Sequence, residues 1–353
     1  MKRPIISGIQ QIGLGNVDVY KTFAWYRRHF GMDVRIFDEA AEAGLMLPYT
    51  GGEPRSRHAV LAVNMQGGGG LEIWQYTSRE PEAPGFDIQL GDTGICIARY
   101  KSRDVKAAFG RMKAQGLDLV SDISYAPDSR AHFYVRDLYG NLCEVVGGES
   151  WFRKTNAVTG GIYGCSIGVS DIDKARVVYS DILGYDQVVY DKRGTFADWT
   201  SLPGGGDTFR RVLLKHSQPR AGAFSRLLGQ SEIELIQVEG RQPRPIFEGR
   251  FWGDLGYIHL CFDINGMREM RELCAAKGFK FTVDSSESFD MGEAAGHFSY
   301  IEDPDGTLIE FVETHKVPVL KKFNLYLNLK NRKPEKPLPN WMVRSLAFNR
   351  VKD

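Results

Sequence analysis

Three stretches of this 353-residue chain run apolar like buried strands, and each carries one group suited to chemistry. They are Ser231-Glu-Ile-Glu-Leu-Ile-Gln237 with Glu234, Gly253-Asp-Leu-Gly-Tyr-Ile-His-Leu-Cys-Phe262 with His259, and Tyr300-Ile-Glu-Asp-Pro-Asp-Gly-Thr-Leu-Ile-Glu-Phe-Val312 with Glu310. A carboxylate among Ile, Leu and Phe needs a partner, because an isolated charge in a dry core is very costly. Two carboxylates and one imidazole on three such strands point to a cation as that partner. Oxygen-plus-nitrogen ligation suits Mn, Fe, Co, Ni or Zn, and three protein ligands leave room for waters or substrate. Each group alone has a plainer explanation: a strand histidine is often a hydrogen-bonded core residue, and Glu232, on the same strand face as Glu234, leaves one of that pair to be solvated.

The chain that must position these groups has the composition of a soluble globular protein, 42% hydrophobic and 25% charged. Lys+Arg of 45 against Asp+Glu of 44 leaves a net charge of +1, which recommends neither nucleic acid nor an anionic membrane as partner. A small-molecule substrate is expected. No apolar run is long enough for a secretion signal or a bilayer span, so a cytoplasmic location is expected. Cys96, Cys143, Cys165, Cys261 and Cys274 form an odd set without C-x-x-C spacing, and buried reduced thiols are the expected state.

Ile9–Leu14 reads as a strand, and Val17–Phe30 as an amphipathic helix closed by Gly31. Strands follow at Met32–Phe37, Ala59–Asn64 and Leu71–Tyr76. Gly91–Ile97 opens a second unit with a helix from Asp104 to Gln115, then strands at Leu117–Ser121, His132–Val135 and Leu142–Val146. The second half repeats this order. Tyr26 and Tyr179 lie 153 residues apart; an offset of 162 carries Glu72 to Glu234, Gln75 to Gln237, Arg79 to Arg241, Gly91-Asp92 to Gly253-Asp254 and Gly116 to Gly278. The fold expected is α+β, four β-α-β-β-β units in two tandem half-barrel domains, 1–150 and 158–315, with an extension over 316–353. Which units pair stays open in the sequence. Asn340 is expected to cap a short helix over Trp341–Phe348, packed as a strap on its own chain or on a second copy in a homodimer. Arg79 and Arg241 match across the copies and are expected to brace turns.

The Asp303-Pro-Asp-Gly-Thr-Leu-Ile-Glu310-Phe311 ending, the strand bearing His259 and the repeated units resemble the vicinal oxygen chelate superfamily. That group includes glyoxalases, bleomycin-resistance proteins and extradiol dioxygenases. The resemblance covers about residues 5–314. It implies that paired units curl into a cup whose first and last strands hold a metal. Carried over, the second half offers Gly164, Glu234, His259 and Glu310, where the first position usually carries His or Gln. The first half offers Gln11, Glu72, Ile97 and Glu144, with Ile97 where the other copy has His259. The metal is therefore expected in the second half, on Glu234, His259 and Glu310, with Glu310 or Glu234 as the proton-moving base. His132, Tyr134, His297 and Tyr300 sit on strands that could line the pocket. The activity implied is that of a metal-dependent isomerase or lyase binding two neighbouring substrate oxygens. A ring-cleaving dioxygenase and a metal-free binding protein of the resistance type are the alternatives.

Overall fold

The computed structural model describes residues 3–285, 289–291, 294–320, 325–329 and 332–352. Unit 1 consists of β1 (Ile5–Asn16), α1 (Val19–Phe30), β2 (Val34–Glu42), β3 (Ser56–Val63) and β4 (Gly70–Tyr76). Unit 2 follows with β5 (Gly94–Ser102), α2 (Val105–Ala114), β6 (Ser124–Tyr125), β7 (Ala131–Arg136) and β8 (Leu142–Gly147). Unit 3 comprises β9 (Ile162–Gly168), α3 (Ile172–Arg176, continued by a π-helical stretch over Val177–Ile182), β10 (Gln187–Gly194), β11 (Thr208–Lys215), a one-turn helix α4 (Ser225–Leu228) and β12 (Glu232–Glu239). Unit 4 has β13 (Gly256–Asn265), α5 (Met267–Ala276), β14 (Val283–Asp284), β15 (Phe289–Met291), β16 (Ala294–Glu302) and β17 (Leu308–Thr314). The tail adds a hairpin, β18 (Lys316–Leu320) and β19 (Leu325–Asn328), and the helix α6 (Asn340–Ser345).

The units pair across the repeat. The first sheet runs β14-β16-β17-β13-β1-β4-β3-β2, with β15 beside β16, so unit 1 joins unit 4. The second runs β10-β11-β12-β9-β5-β8-β7-β6, so unit 2 joins unit 3. Each joint is antiparallel, β1 on β13 and β5 on β9, while the last strand of each unit pairs in parallel with its first and the outer strands follow antiparallel. The division at about residue 150 marks the sequence repeat, and both sheets cross it. The two sheets share one core, where strand residues such as Ile12, Leu260 and Ile309 meet the helices at Phe23, Phe30 and Met270.

The repeated residues explain the stitching. Arg79 of unit 1 donates from Nη1 to Asp254 of unit 4, and Arg241 of unit 3 donates to Asp92 of unit 2 at 2.6 Å. Both arginines thus brace turns, as their matching positions suggest. Tyr26 on α1 donates to Asp137 at 2.9 Å and Tyr179 to Asp303 at 2.8 Å, tying each unit-1 or unit-3 helix to the Asp-x-x-Gly turn of the following unit. Asp18 caps α1 by accepting from Tyr20 and Lys21 N–H groups, and Gly31 ends it at φ 65°, a left-handed conformation that glycine adopts without steric cost.

Two expectations are corrected. Leu117–Ser121 is not a ladder strand: it meets β7 through the isolated bridge Leu119 to Val135, and Ser124–Tyr125 is the paired strand. Asn340 is not the cap of the final helix but its first residue, its Oδ1 accepting from Arg226 at 3.1 Å, with Pro339 before it. The tail packs on its own chain through Leu338, Val343 and Leu346, while Trp341 and Phe348 stay 65% and 78% exposed. All five cysteines are buried and free, and no helix among the described residues is long and apolar enough to cross a membrane.

Asp254 is fully buried and accepts from Arg79, from Glu82 N at 2.8 Å and from Phe251 N at 2.7 Å. Replacing it by Ala removes the buried acceptor of two amide donors and of Arg79, which keeps only the exposed Glu82 as a partner, at the joint between units 1 and 4. Urea denaturation of Asp254→Ala is expected to show a loss of about 3 kcal/mol, the size typical of breaking a buried pair.

Candidate metal centre

The β1–β13 joint and the two flanking parallel strands bring Gln11 (β1), Glu72 (β4), His259 (β13) and Glu310 (β17) to one place. Strand alternation selects their face: Leu71, Ile73, Leu260, Ile309 and Phe311 go to the shared core, leaving Glu72, His259 and Glu310 on the concave side. His259 Nε2 lies 3.2 Å from Glu72 Oε2 and 3.2 Å from Glu310 Oε2, and Gln11 Nε2 donates to Glu72 at 3.2 Å. Ligand atoms of Glu72, His259 and Glu310 all fall within 4.8 Å of one another. Gly13 makes room for the imidazole, since a Cβ there would sit 2.4 Å from His259 Cε1.

Glu234, expected beside His259 and Glu310, lies in the other sheet, and Glu72 stands in its place. The reason is the pairing of units: β12, which bears Glu234, belongs with units 2 and 3, whereas β13 and β17 join unit 1. Gln11 fills the first-strand position left vacant at Gly164. Gly164 itself can carry no side chain, because a Cβ would sit 1.9 Å from the Glu232 carbonyl oxygen.

The donor set fits a cation. Gln11 Oε1, His259 Nε2 and Glu310 Oε2 are buried and make no well-aligned hydrogen bond among the described residues, Nε2 meeting the two carboxylates only as ion-pair contacts at 3.2 Å, and buried polar atoms left in this way call for a further partner such as water or an ion. The electrostatics point the same way. Burial works to raise the Glu72 carboxyl, but the hydrogen bond and charge of His259 outweigh it and hold Glu72 below the ordinary range. Glu310 is raised, by burial first, and the neighbouring Glu72 charge adds to this against the pull of His259. For His259 burial lowers the imidazole, and the charge of Glu310 with the hydrogen bond and charge of Glu72 raise it overall. Even a protonated imidazole would leave the two buried carboxylates one charge short, a deficit that a divalent cation would cover. Trp252 Nε1 donates to His259 Nδ1 at 3.3 Å; an indole N–H can only donate, so in this arrangement the imidazole proton sits on Nε2. A cation at Nε2 and that proton are alternatives.

The cluster opens into a cavity of 230 Å³. Trp74, Trp252 and Tyr300 surround the carboxylates, and Phe37, Leu61 and Phe298 extend the wall. Trp252 stacks near His259 with ring planes 17° apart. Tyr300 and His297 line this cavity, as their strand suggested.

The matching place in the second sheet holds Glu234 and Glu144 but no imidazole between them, and guanidinium groups fill it. Arg99 Nε donates to Glu144 at 2.5 Å, and Arg211 bonds both Glu234 and Asp198, the latter at 2.6 Å. Glu234 also accepts from Tyr190 and, at 2.8 Å, from Ser166. Arg211 lies 3.9 Å over the Trp199 ring. Glu232 is as buried as Glu234 and pairs with Arg130 at 2.7 Å, so neither is left to solvent. His132 and Tyr134 are buried in this network: His132 Nδ1 sits 2.7 Å from Glu144, and Tyr134 accepts from Trp199 at 2.9 Å.

A family model for the Glyoxalase/Bleomycin resistance protein/Dioxygenase superfamily matches residues 8–145 and 161–311. Among solved structures, glyoxalase I from Zea mays superposes with a TM-score of 0.54 at 12% identity, over 87% of this chain and 92% of that one. A putative dioxygenase from Bacillus subtilis superposes with a TM-score of 0.55 at 14% identity, over 89% and 86%. Both likenesses are of fold. None of the curated proteins compared matches the chain.

The ionic network of the second sheet carries a pH signature. Burial works to lower His132, but hydrogen bonds to Asp198 and Glu144 and their charges outweigh it and raise the imidazole to about 9. The stabilisation is fully present below the unfolded value near 6.5 and is lost as pH rises to about 9. Unfolding free energy is expected to fall by about 3 kcal/mol across that window and to stay flatter in His132→Gln, as read by denaturant titration at successive pH values.

Proposed function

The chain belongs to the Glyoxalase/Bleomycin resistance protein/Dioxygenase superfamily, and on that premise we propose that it is a metal-dependent isomerase or lyase of the glyoxalase type. Its substrate is a small molecule with two adjacent oxygens. Gln11, Glu72, His259 and Glu310 would hold the divalent cation, one of Mn, Fe, Co, Ni or Zn. The observation carrying this reading is the convergence of three buried ligand-type atoms that lack a well-aligned hydrogen bond, at the wall of a cavity large enough for such a substrate. A cation held there supplies Lewis-acid stabilisation of negative charge on the substrate oxygens.

The chain's own residues supply the rest. Glu310 Oε2 lines the cavity without a well-aligned hydrogen bond and its carboxyl is raised by burial, the condition under which a carboxylate can take a proton from carbon and return it. Glu72 is held ionised by His259 and anchored by Gln11, which suits it to ligation more than to proton transfer. Trp74, Trp252 and Tyr300 keep bulk water from the carboxylates and so strengthen every charge interaction among them. The base proposed is therefore Glu310, and Glu234 has no part in the chemistry. Five buried thiols accord with a reducing compartment such as the cytoplasm.

A ring-cleaving dioxygenase typically uses two imidazoles and one carboxylate. The converging set described above has one imidazole and two carboxylates, which favours the non-redox reading.

Elemental analysis of purified variants separates this reading from its competitors. Glu72→Ala, His259→Ala and Glu310→Ala are each expected to lose bound metal by tenfold or more, roughly the effect of removing one ligand from a small set, while Glu234→Gln keeps it. Metal retained in all three variants would remove this site, and a wild-type protein that neither carries metal nor gains thermal stability from Mn, Co, Ni or Zn would favour a metal-free binding protein.

A further inference from the structure

The cavity has a wall that neither unit of its sheet supplies. Leu227 and Leu228 of α4 and Phe224 just before it line the cavity, although α4 belongs to unit 3 and hence to the other sheet, and Leu346 lines it from the tail, beyond the last residue of the family match. Gly8 lets α4 come close, since a Cβ there would sit 2.8 Å from Leu228 Cβ, and Gly68 N donates to Leu227 O at 2.8 Å. The tail fixes the arrangement. Leu338 N donates to Ala223 O at 2.9 Å and Val351 N to Asp33 O at 2.9 Å, and Val343, 1% exposed, packs with Leu227.

Strand register gives the cavity two ends. Along β1, Gly8 faces α4, Gln11 lies opposite Gly70, and Gly13 lies opposite Glu72. The carboxylates therefore sit toward one end and the apolar wall toward the other. The charged lining residues Glu42, Arg57 and Lys316 come from β2, β3 and β18, not from this wall, and Arg57 is engaged by Glu39 at 3.1 Å.

We propose that the substrate bears an apolar arm received between α4 and Leu346, so that the C-terminal tail is a specificity element of the site. This rests on the reading above that the opposite end binds the oxygen pair. A four-residue helix donated by a unit of the other sheet and a strap outside the repeated fold converge on one cavity with four apolar side chains. Burying an alkyl or aryl group there gains affinity in proportion to its area, and no group on that wall rewards a charged arm.

Calorimetric titration of the Mn-loaded full chain with acetohydroxamic acid, hexanohydroxamic acid and hexanamide tests this. The two hydroxamates carry the same chelating oxygen pair and differ only in the arm. Hexanohydroxamic acid is expected to bind about tenfold or more tighter than acetohydroxamic acid, from its additional buried methylenes. Leu346→Asp is expected to erase that preference and leave acetohydroxamic acid unchanged, Leu346→Ala to reduce it in part, and Trp341→Ala, exposed on α6 just before Leu346, to retain it. Equal binding of the two hydroxamates to the wild type, or an unchanged preference in Leu346→Asp, overturns the inference while the metal reading stands. Failure of both hydroxamates to bind overturns the metal reading, and hexanamide, with the same chain length and no chelating pair, then decides the wall alone. It must bind the wild type more tightly than Leu346→Asp; equal binding overturns the inference.

Discussion

The constraint on which this structure depends is the antiparallel joint of β1 with β13, which sets the first unit of the chain against the last. Without it Glu72 and Gln11 would face one surface, and His259 and Glu310 another. With it, two carboxylates converge on a single imidazole inside a buried cup. The joint is held by main-chain pairing from Ile5–Asn265 to Gly15–Gly256 and by the Arg79–Asp254 ion pair at its edge. Residues nearly two hundred and fifty positions apart, such as His259 and Gly13, are packed so closely that only glycine fits opposite the ring.

The second sheet shows what the same scaffold does when the cation comes from the chain. Glu144 and Glu234 occupy the places of Glu310 and Glu72. Burial works to raise Glu144, yet the charge of Arg99 and the hydrogen bond of His132 hold it low. Guanidinium groups are weakly hydrated and present several donors in a plane, so Arg99 and Arg211 can neutralise buried carboxylates without an external ion. His259, Gln11 and the empty volume beside them distinguish the first sheet. Of two related cups, one is filled by its own arginines and the other keeps ligand-type atoms without well-aligned hydrogen bonds facing a cavity.

Much of this was legible in the residues. The repeat offset identified the four units, the matching arginines, and Glu72 and Glu234 as counterparts, because local alternation and turn chemistry leave their marks in one dimension. His259 and Glu310 stood out for the same reason, as polar groups in apolar strands. The pairing of units does not show, since β-ladders between chain segments so far apart leave no periodic trace, and this is why the sequence points to Glu234 beside His259 where the fold brings Glu72. The signal that could have found Glu72 was the Gln11 position, where Gly164 in the other copy offers no ligand at all. Arg99 and Arg211 as internal counter-ions were not legible either, because an arginine on a strand reads as a solvated residue until its neighbours are known.

On this reading the cup built by units 1 and 4 holds a divalent cation and the cup built by units 2 and 3 does not. Anomalous diffraction from crystals grown with Mn or Zn, collected above and below the metal absorption edge, tests it most directly. One difference peak is expected within bonding distance of Glu72, His259 and Glu310, and none between Glu144 and Glu234. A peak in the second cup, or none in the first, would contradict it.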